Sequence, residues 1–315
     1  MSKFEEEYVA VNGIEHFLLH YPKAPDAPIL LYLHGGPGSI ESLFAYELDK
    51  AWGNLFTHVH WDQRGAGKTL RRNKKNGLPK TIDQMLEDLH GIIGYLQQKY
   101  RTDKVVLLGH SWGSVLGSLY VLRHPENVLS YIGVGQVISM RENERTAYRE
   151  VLDMARRTEN QKHIQTLEQM GDYPPDDPEL LLKLLPKMRK IQAAYDNGSV
   201  SGSSTGELLK ILRHSPSFRW SDLVSLMQVM KVNYMLDLQL LSFDLAEITP
   251  HYQAPVHYIL GEADTIAPTS LGRAYYDTIE APLKTITVIS GAGHNPMHEQ
   301  PDEFAAALRA VRETL

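Results

Sequence analysis

Short apolar runs alternate with stretches of helical periodicity along most of this chain, and that alternation limits the fold more than any other feature. The runs lie at 29–33, 58–62, 104–108, 130–134, 256–260 and 286–289. Most are apolar at successive positions, as strands covered on both faces must be. The intervals are long enough for helices, and a parallel pair of strands needs such a crossover. The clearest interval, 81–100, carries Ile82, Met85, Leu86, Leu89, Ile93 and Leu96 at helical spacing, with Thr81 and Gln84 as a capping box. After Pro301, Phe304, Leu308 and Val311 fall on one helical face. Between about 138 and 250 the alternation stops, and helical stretches run on without a convincing strand. The pattern predicts an α/β fold, a mostly parallel sheet flanked by helices. Its core is made of 1–137 and 251–315 and is interrupted by a helical cap at 138–250.

Composition narrows the functional classes. The 315 residues include no cysteine, which excludes disulfides and thiolate metal sites. Acidic residues outnumber Lys and Arg by 38 to 32, so no nucleic-acid partner is expected, because phosphates demand a basic face. Arg71, Arg72, Lys74 and Lys75 form one short basic run, which reads as a solvated loop beside Asn76, Gly77 and Pro79. No apolar stretch approaches the ~20 residues of a membrane span. The acidic start of the chain carries no export segment. A cytoplasmic protein with no membrane partner is expected.

Three motifs stand at the C-terminal ends of strands, where open parallel sheets place their active sites. Gly109-His110-Ser111-Trp112-Gly113 joins the 104–108 strand to a helix bearing Val115, Leu116, Leu119, Tyr120 and Leu122. A serine in such a strand-to-helix turn is a nucleophile elbow. His34-Gly35-Gly36-Pro37-Gly38 follows the most apolar strand. Acyl transfer needs two backbone N–H groups facing the developing oxyanion, and Gly36 and Trp112 are the candidate donors. Asp264 and His294 end the last two strands in the chain order Ser, Asp, His. Asp264 would hold the His294 ring, and His294 would take the Ser111 proton and return it to the leaving group. Glu262 is the rival acid.

HGGPG at 34–38, WDQRGAGKT at 61–69, GHSWGS at 109–114, GEAD at 261–264 and GAGH at 291–294 together resemble the α/β-hydrolase superfamily. The pairing of HGGPG with DQRGAG is similar to the proline iminopeptidase-like branch. The resemblance implies an eight-stranded, mostly parallel sheet with a helical cap inserted after the sixth strand. It implies a triad of Ser111, Asp264 and His294, and hydrolysis without metal or organic cofactor. One stretch departs from the branch: the start of the cap, aromatic- and acid-rich in true proline iminopeptidases, reads GQVISMRENERTAYREV here.

Other signals have plainer readings. Gly65-Ala66-Gly67-Lys68-Thr69 imitates a phosphate-binding loop, but Asp62 stands where the pattern requires glycine. His294/His298 and His16/His20 have i, i+4 spacing without the H-E-x-x-H pattern of a metal site. Asp62 and Arg64 are expected to fix the loop beside the site by hydrogen bonds and an ion pair. The Gly/Ser-rich segment 197–206 is either a lid or a surface loop.

Substrate choice should lie in the cap. Glu142 and Glu144 begin it, where a carboxylate could receive a substrate ammonium group, and Gly35 is the third candidate for substrate binding. The expected function is a serine hydrolase cleaving small peptides or amino-acid derivatives with a free amino end. Alternatives are an esterase, lactonase or amidase on a neutral acyl compound, or a non-catalytic small-molecule receptor on the same fold.

Overall fold

The computed structural model describes residues 3–195 and 212–315. Among them, eight strands form one sheet: β1 (Glu5–Val11), β2 (Ile14–Tyr21), β3 (Ile29–Leu33), β4 (Thr57–Asp62), β5 (Val105–His110), β6 (Val128–Val134), β7 (Val256–Gly261) and β8 (Lys284–Ile289). Their spatial order is β1-β2-β4-β3-β5-β6-β7-β8. β1 and β2 pair antiparallel with each other, β2 pairs antiparallel with β4, and the remaining pairs are parallel.

Alternate residues of the central strands enter different apolar layers. Ile29, Leu31 and Leu33 of β3 and Val105 and Leu107 of β5 pack on one face. Leu30, Tyr32, Val106 and Leu108 pack on the other. Successive strand residues point to opposite faces, so burial on both sides demands the uninterrupted apolar runs seen in the sequence. The first face is covered by α3 (Ile82–Tyr100) and α4 (Trp112–Arg123), which contribute Leu86, Leu89, Ile93, Val115 and Leu116, and by α10 (Thr269–Thr278). The second is covered by α1 (Ala45–Trp52) and α12 (Pro301–Arg312) through Leu48, Trp52, Phe304, Leu308 and Val311. Each such side chain, fully buried, contributes about 1.5–3 kcal/mol.

Local signals set the helix starts. Thr81 Oγ1 accepts from the Gln84 N–H (3.1 Å), while the Gln84 side chain accepts from Lys80 N–H (3.0 Å), one residue earlier than in a capping box. Asp177 caps α7 (Pro178–Gln192) by accepting from Glu179 N–H at 3.0 Å.

All six apolar runs are strands, but the β1–β2 hairpin has no such run. It carries Glu5, Glu6 and Glu7 on an edge strand and the buried His16 and His20 on its neighbour. Its overlooked signal is Asn12-Gly13, both with positive φ (46° and 78°), as a two-residue hairpin turn needs.

Between β6 and β7 the described residues are helical: α5 (Met140–Arg157), α6 (Gln161–Glu168), α7, α8 (Asp222–Val232) and α9 (Tyr234–Leu240). The ends of this insertion meet at the bridge Ser139–Asp244, where Met140 N–H donates to Phe243 O (3.0 Å) and Leu245 N–H to Ile138 O (2.7 Å). A second attachment comes from α2 (Gly67–Asn73). Lys68 Nζ donates to Ser217 O (2.8 Å) and Oγ (2.6 Å), and Arg71 pairs with the buried Asp222 at 2.8 Å. The basic run at 71–75 is therefore the end of a helix and a 3-10 turn, and Arg71 faces the insertion rather than solvent alone. The segment 197–206 lies outside the described residues. Among those residues no helix is long and apolar enough to cross a membrane.

Candidate active site

The turn between β5 and α4 holds Ser111 at φ 54°, ψ −119°, a left-handed conformation that costs a non-glycine residue of order 1–3 kcal/mol. Close packing maintains it. A side chain on Gly109 would run into the Gly113 carbonyl, and one on Gly113 into the Leu33 carbonyl. Ser111 N–H donates to Val134 O (3.0 Å), and Ser114 N–H returns to Ser111 O (2.8 Å). Trp112 is the first residue of α4, so its N–H has no partner within the helix.

Asp264 lies beyond the end of β7 and His294 beyond the end of β8, both buried. Asp264 Oδ2 accepts from His294 Nδ1 at 2.9 Å, with Oδ1 at 3.1 Å. Oδ1 also accepts from the backbone N–H groups of Ile266 (2.9 Å) and Ala267 (2.8 Å). Glu262 turns away: its exposed carboxylate bonds Ser290 Oγ (2.7 Å) and Gly291 N–H (3.3 Å). His110, the residue before Ser111, donates from Nε2 to the His294 carbonyl at 2.9 Å. Burial first, then the neighbouring His294, push His110 down to about 4, so its ring is neutral at working pH.

The HGGPG loop lies against the same turn. A β-carbon on Gly35 would sit 3.2 Å from Ser111 Cβ and 3.2 Å from His110 Nδ1, so it would press directly on the elbow and force one of those side chains to shift. Gly36 adopts φ 114°, open only to glycine. Asp62 accepts from Ser42 Oγ (2.6 Å) and Lys68 N–H (2.8 Å), whereas Arg64 pairs with the buried Asp88 at 2.6 Å. These two residues thus brace separate loops rather than each other.

The two glutamates at the start of α5, candidates for receiving a substrate ammonium group, each pair with an arginine. Glu142 is half-buried and pairs with Arg145 one turn along α5. Glu144 is fully buried and already neutralised: it bonds both terminal nitrogens of Arg189, one at 3.3 Å, and accepts from Tyr173 OH. Residues two apart on a helix face different ways, and here one meets solvent and the other meets α7. Arg189 Nη1 also donates to Gln192 Oε1 (2.7 Å), and Gln192 Nε2 donates to the carbonyl of Thr265, next to Asp264. Three other groups had no strong sequence signal: Gln63 against His34 and Trp112, the Arg189–Gln192 chain, and the Glu41–His298 pair at 2.6 Å. His298 is thereby engaged by Glu41 on the loop after HGGPG.

The family model described as "Serine aminopeptidase, S33" matches residues 29–301. A probable aminopeptidase of Bacillus subtilis, YbaC, is 26% identical over 89% of this chain and 87% of its own length. In fold, the chain is similar to proline iminopeptidase of Mycobacterium smegmatis (TM-score 0.66, 20% identity, 98% of each chain). The esterase RhEst1 from Rhodococcus sp. is also similar (TM-score 0.60, 19% identity, all of both chains). With six of the eight strands and every motif loop inside the matched span, the chain belongs to the serine aminopeptidase family of α/β-hydrolases.

Proposed function

We propose that this protein is a serine hydrolase acting through an acyl-enzyme on Ser111, with small peptides or amino-acid derivatives bearing a free amino end as substrates. The observation that carries the reading is the buried Asp264–His294 hydrogen bond, at the same end of the parallel sheet as the Ser111 elbow and the HGGPG loop. In this mechanism Ser111 Oγ attacks the carbonyl carbon while His294 Nε2 takes its proton. Asp264 holds the Nδ1–H and stabilises the imidazolium. The N–H groups of Gly36 and Trp112 donate to the oxyanion. Collapse of the intermediate passes the His294 proton to the leaving amine or alcohol. Water then attacks the acyl-enzyme by the same route, releasing the acid and restoring Ser111. The insertion at 138–250 acts as the cap that sets substrate choice.

The aminopeptidase reading draws on relatives named as a probable aminopeptidase and a proline iminopeptidase. A second reading, an esterase, lactonase or amidase on a neutral acyl compound, is favoured by one observation: both glutamates at the start of the cap are paired with arginine. A fluorophosphonate probe should label the wild-type protein and not Ser111→Ala, and labelling of the variant would refute the nucleophile. Prolyl and other aminoacyl arylamides, compared with their N-acetyl forms and with short p-nitrophenyl esters, separate the substrate classes. Turnover that ignores blocking of the amino group favours the second reading.

A further inference from the structure

Gln63 follows β4 in the WDQRGAGKT segment and has no part in the chemistry described above. It is fully buried, and its polar groups reach the two loops that flank Ser111. Its backbone N–H donates to His34 Nε2 (3.1 Å), its side-chain Nε2 donates to His34 O (3.2 Å), and its Oε1 accepts from the Trp112 indole N–H (2.9 Å).

The first of these contacts decides the tautomer of His34. A donor at Nε2 makes that nitrogen an acceptor, so the ring proton sits on Nδ1. Nδ1–H then donates to Gly35 O at 2.8 Å. Burial pushes His34 down to about 4, which keeps the ring neutral. Gly35 O also accepts from Ser39 N–H at 3.2 Å. The Gly35 carbonyl and the Gly36 N–H belong to one planar peptide. Two donors on its oxygen fix the direction of the plane and polarise the N–H on the far side.

We propose that the Gln63 side chain is a positioning group for the oxyanion hole: its amide ties down the HGGPG loop at His34 O and holds Trp112 by its ring, so that the Gly36 N–H, in the peptide that His34 Nδ1 fixes, stays aimed at the oxyanion. This rests on the reading of Ser111 as nucleophile and of the Gly36 and Trp112 N–H groups as oxyanion donors. The hole acts on the charged tetrahedral state far more than on the neutral carbonyl, so loosening it lowers kcat and leaves KM nearly unchanged.

Gln63→Met keeps the length of the side chain and the backbone N–H on His34 Nε2, and removes the two side-chain bonds, to His34 O and from the Trp112 indole. Wild type, Gln63→Met and Ser111→Ala are compared in p-nitrophenyl butyrate hydrolysis and in inhibition by an alkyl trifluoromethyl ketone. In that inhibition a bond forms from Ser111 Oγ to the ketone carbon, the carbonyl π bond breaks to leave an oxyanion, and the serine proton passes to His294. Gln63→Met should lose ~10- to 100-fold in kcat with KM within ~3-fold. The ketone inhibition constant should rise by the factor by which kcat/KM falls. Trp112→Phe removes the indole N–H together with part of the ring's bulk, keeps the Trp112 backbone N–H, and should show a loss of the same kind, in kcat rather than KM; it decides the matter if Gln63→Met does not fold. Wild-type kcat and ketone affinity in the folded variant, or a loss confined to KM, would overturn the proposal. Ser111→Ala that hydrolyses the ester at the wild-type rate would instead overturn the reading beneath it. An inactive Ser111→Ala beside a wild-type Gln63→Met removes this inference alone.

Discussion

Replacing Asp264 by asparagine tests the proposed triad through the orientation its loop enforces. Oδ1 is committed to two backbone donors, Ile266 N–H at 2.9 Å and Ala267 N–H at 2.8 Å, and Oδ2 faces His294 Nδ1 at 2.9 Å. An asparagine must keep its oxygen on those two donors, because the flipped amide would leave each without an acceptor at about 1–3 kcal/mol apiece. Its NH2 therefore takes the Oδ2 position and donates to Nδ1. The imidazole proton is driven to Nε2, the nitrogen that should receive the Ser111 proton. In triads of this kind the wrong tautomer lowers kcat by ~10⁴. At 1.36 kcal/mol per tenfold this is about 5.4 kcal/mol on the barrier. The substrate still meets the same binding groups, so KM should change by less than ~threefold. Steady-state hydrolysis of the best ester or arylamide, with circular dichroism to verify folding, measures both constants. Glu262→Gln should stay within ~twofold of wild type, since its carboxylate bonds only Ser290 and Gly291 at the surface. A loss below ~tenfold for Asp264→Asn, or a larger one for Glu262→Gln, would refute the reasoning.

Glu144→Gln should cost ~2–3 kcal/mol in urea unfolding, a buried-pair penalty reduced because Arg189 is 31% exposed, whereas Glu142→Gln should cost under ~0.5 kcal/mol. Equal urea midpoints for the two variants would contradict the pairing. Gly113→Ala drives a methyl group into the Leu33 carbonyl and should remove ~3 kcal/mol or more, while Gly94→Ala, with open space around it in α3, should gain up to ~1 kcal/mol. Burial alone pushes the Glu41 carboxyl up and the His298 ring down, but their mutual charge and hydrogen bond outweigh it, so Glu41 ends below its ordinary range and His298 above. The Glu41 contribution is lost as pH falls through its lowered value, and that of His298 as pH rises through its raised value. The melting-temperature advantage of wild type over His298→Gln should therefore peak between about pH 4.3 and 6.5 and shrink toward alkaline pH. An advantage that grows above neutrality would contradict the sign.

The layout of the sheet was legible in the residues because it depends on burial, which leaves a local mark. Ile29–Leu33 is apolar at every position since both faces are covered, and Gly109 and Gly113 bracket Ser111 because backbone passes on each side. The candidates Ser111, Asp264 and His294 were legible for a related reason: they are chemically distinctive residues just beyond the ends of apolar runs. The hairpin escaped because β1 is an edge strand that need not be apolar on both faces and β2, though interior, breaks its apolar run with the buried His16 and His20; only Asn12-Gly13 marked it. What the tertiary structure alone decided is who meets whom. Glu144 finds Arg189 45 residues on, His298 meets Glu41 across 257 residues, and Gln63 links His34 to Trp112. A residue's periodicity and neighbours report whether it is buried. The partner that satisfies a buried charge or amide is fixed by the crossovers and helix packing that bring distant segments together, and no local pattern encodes that geometry.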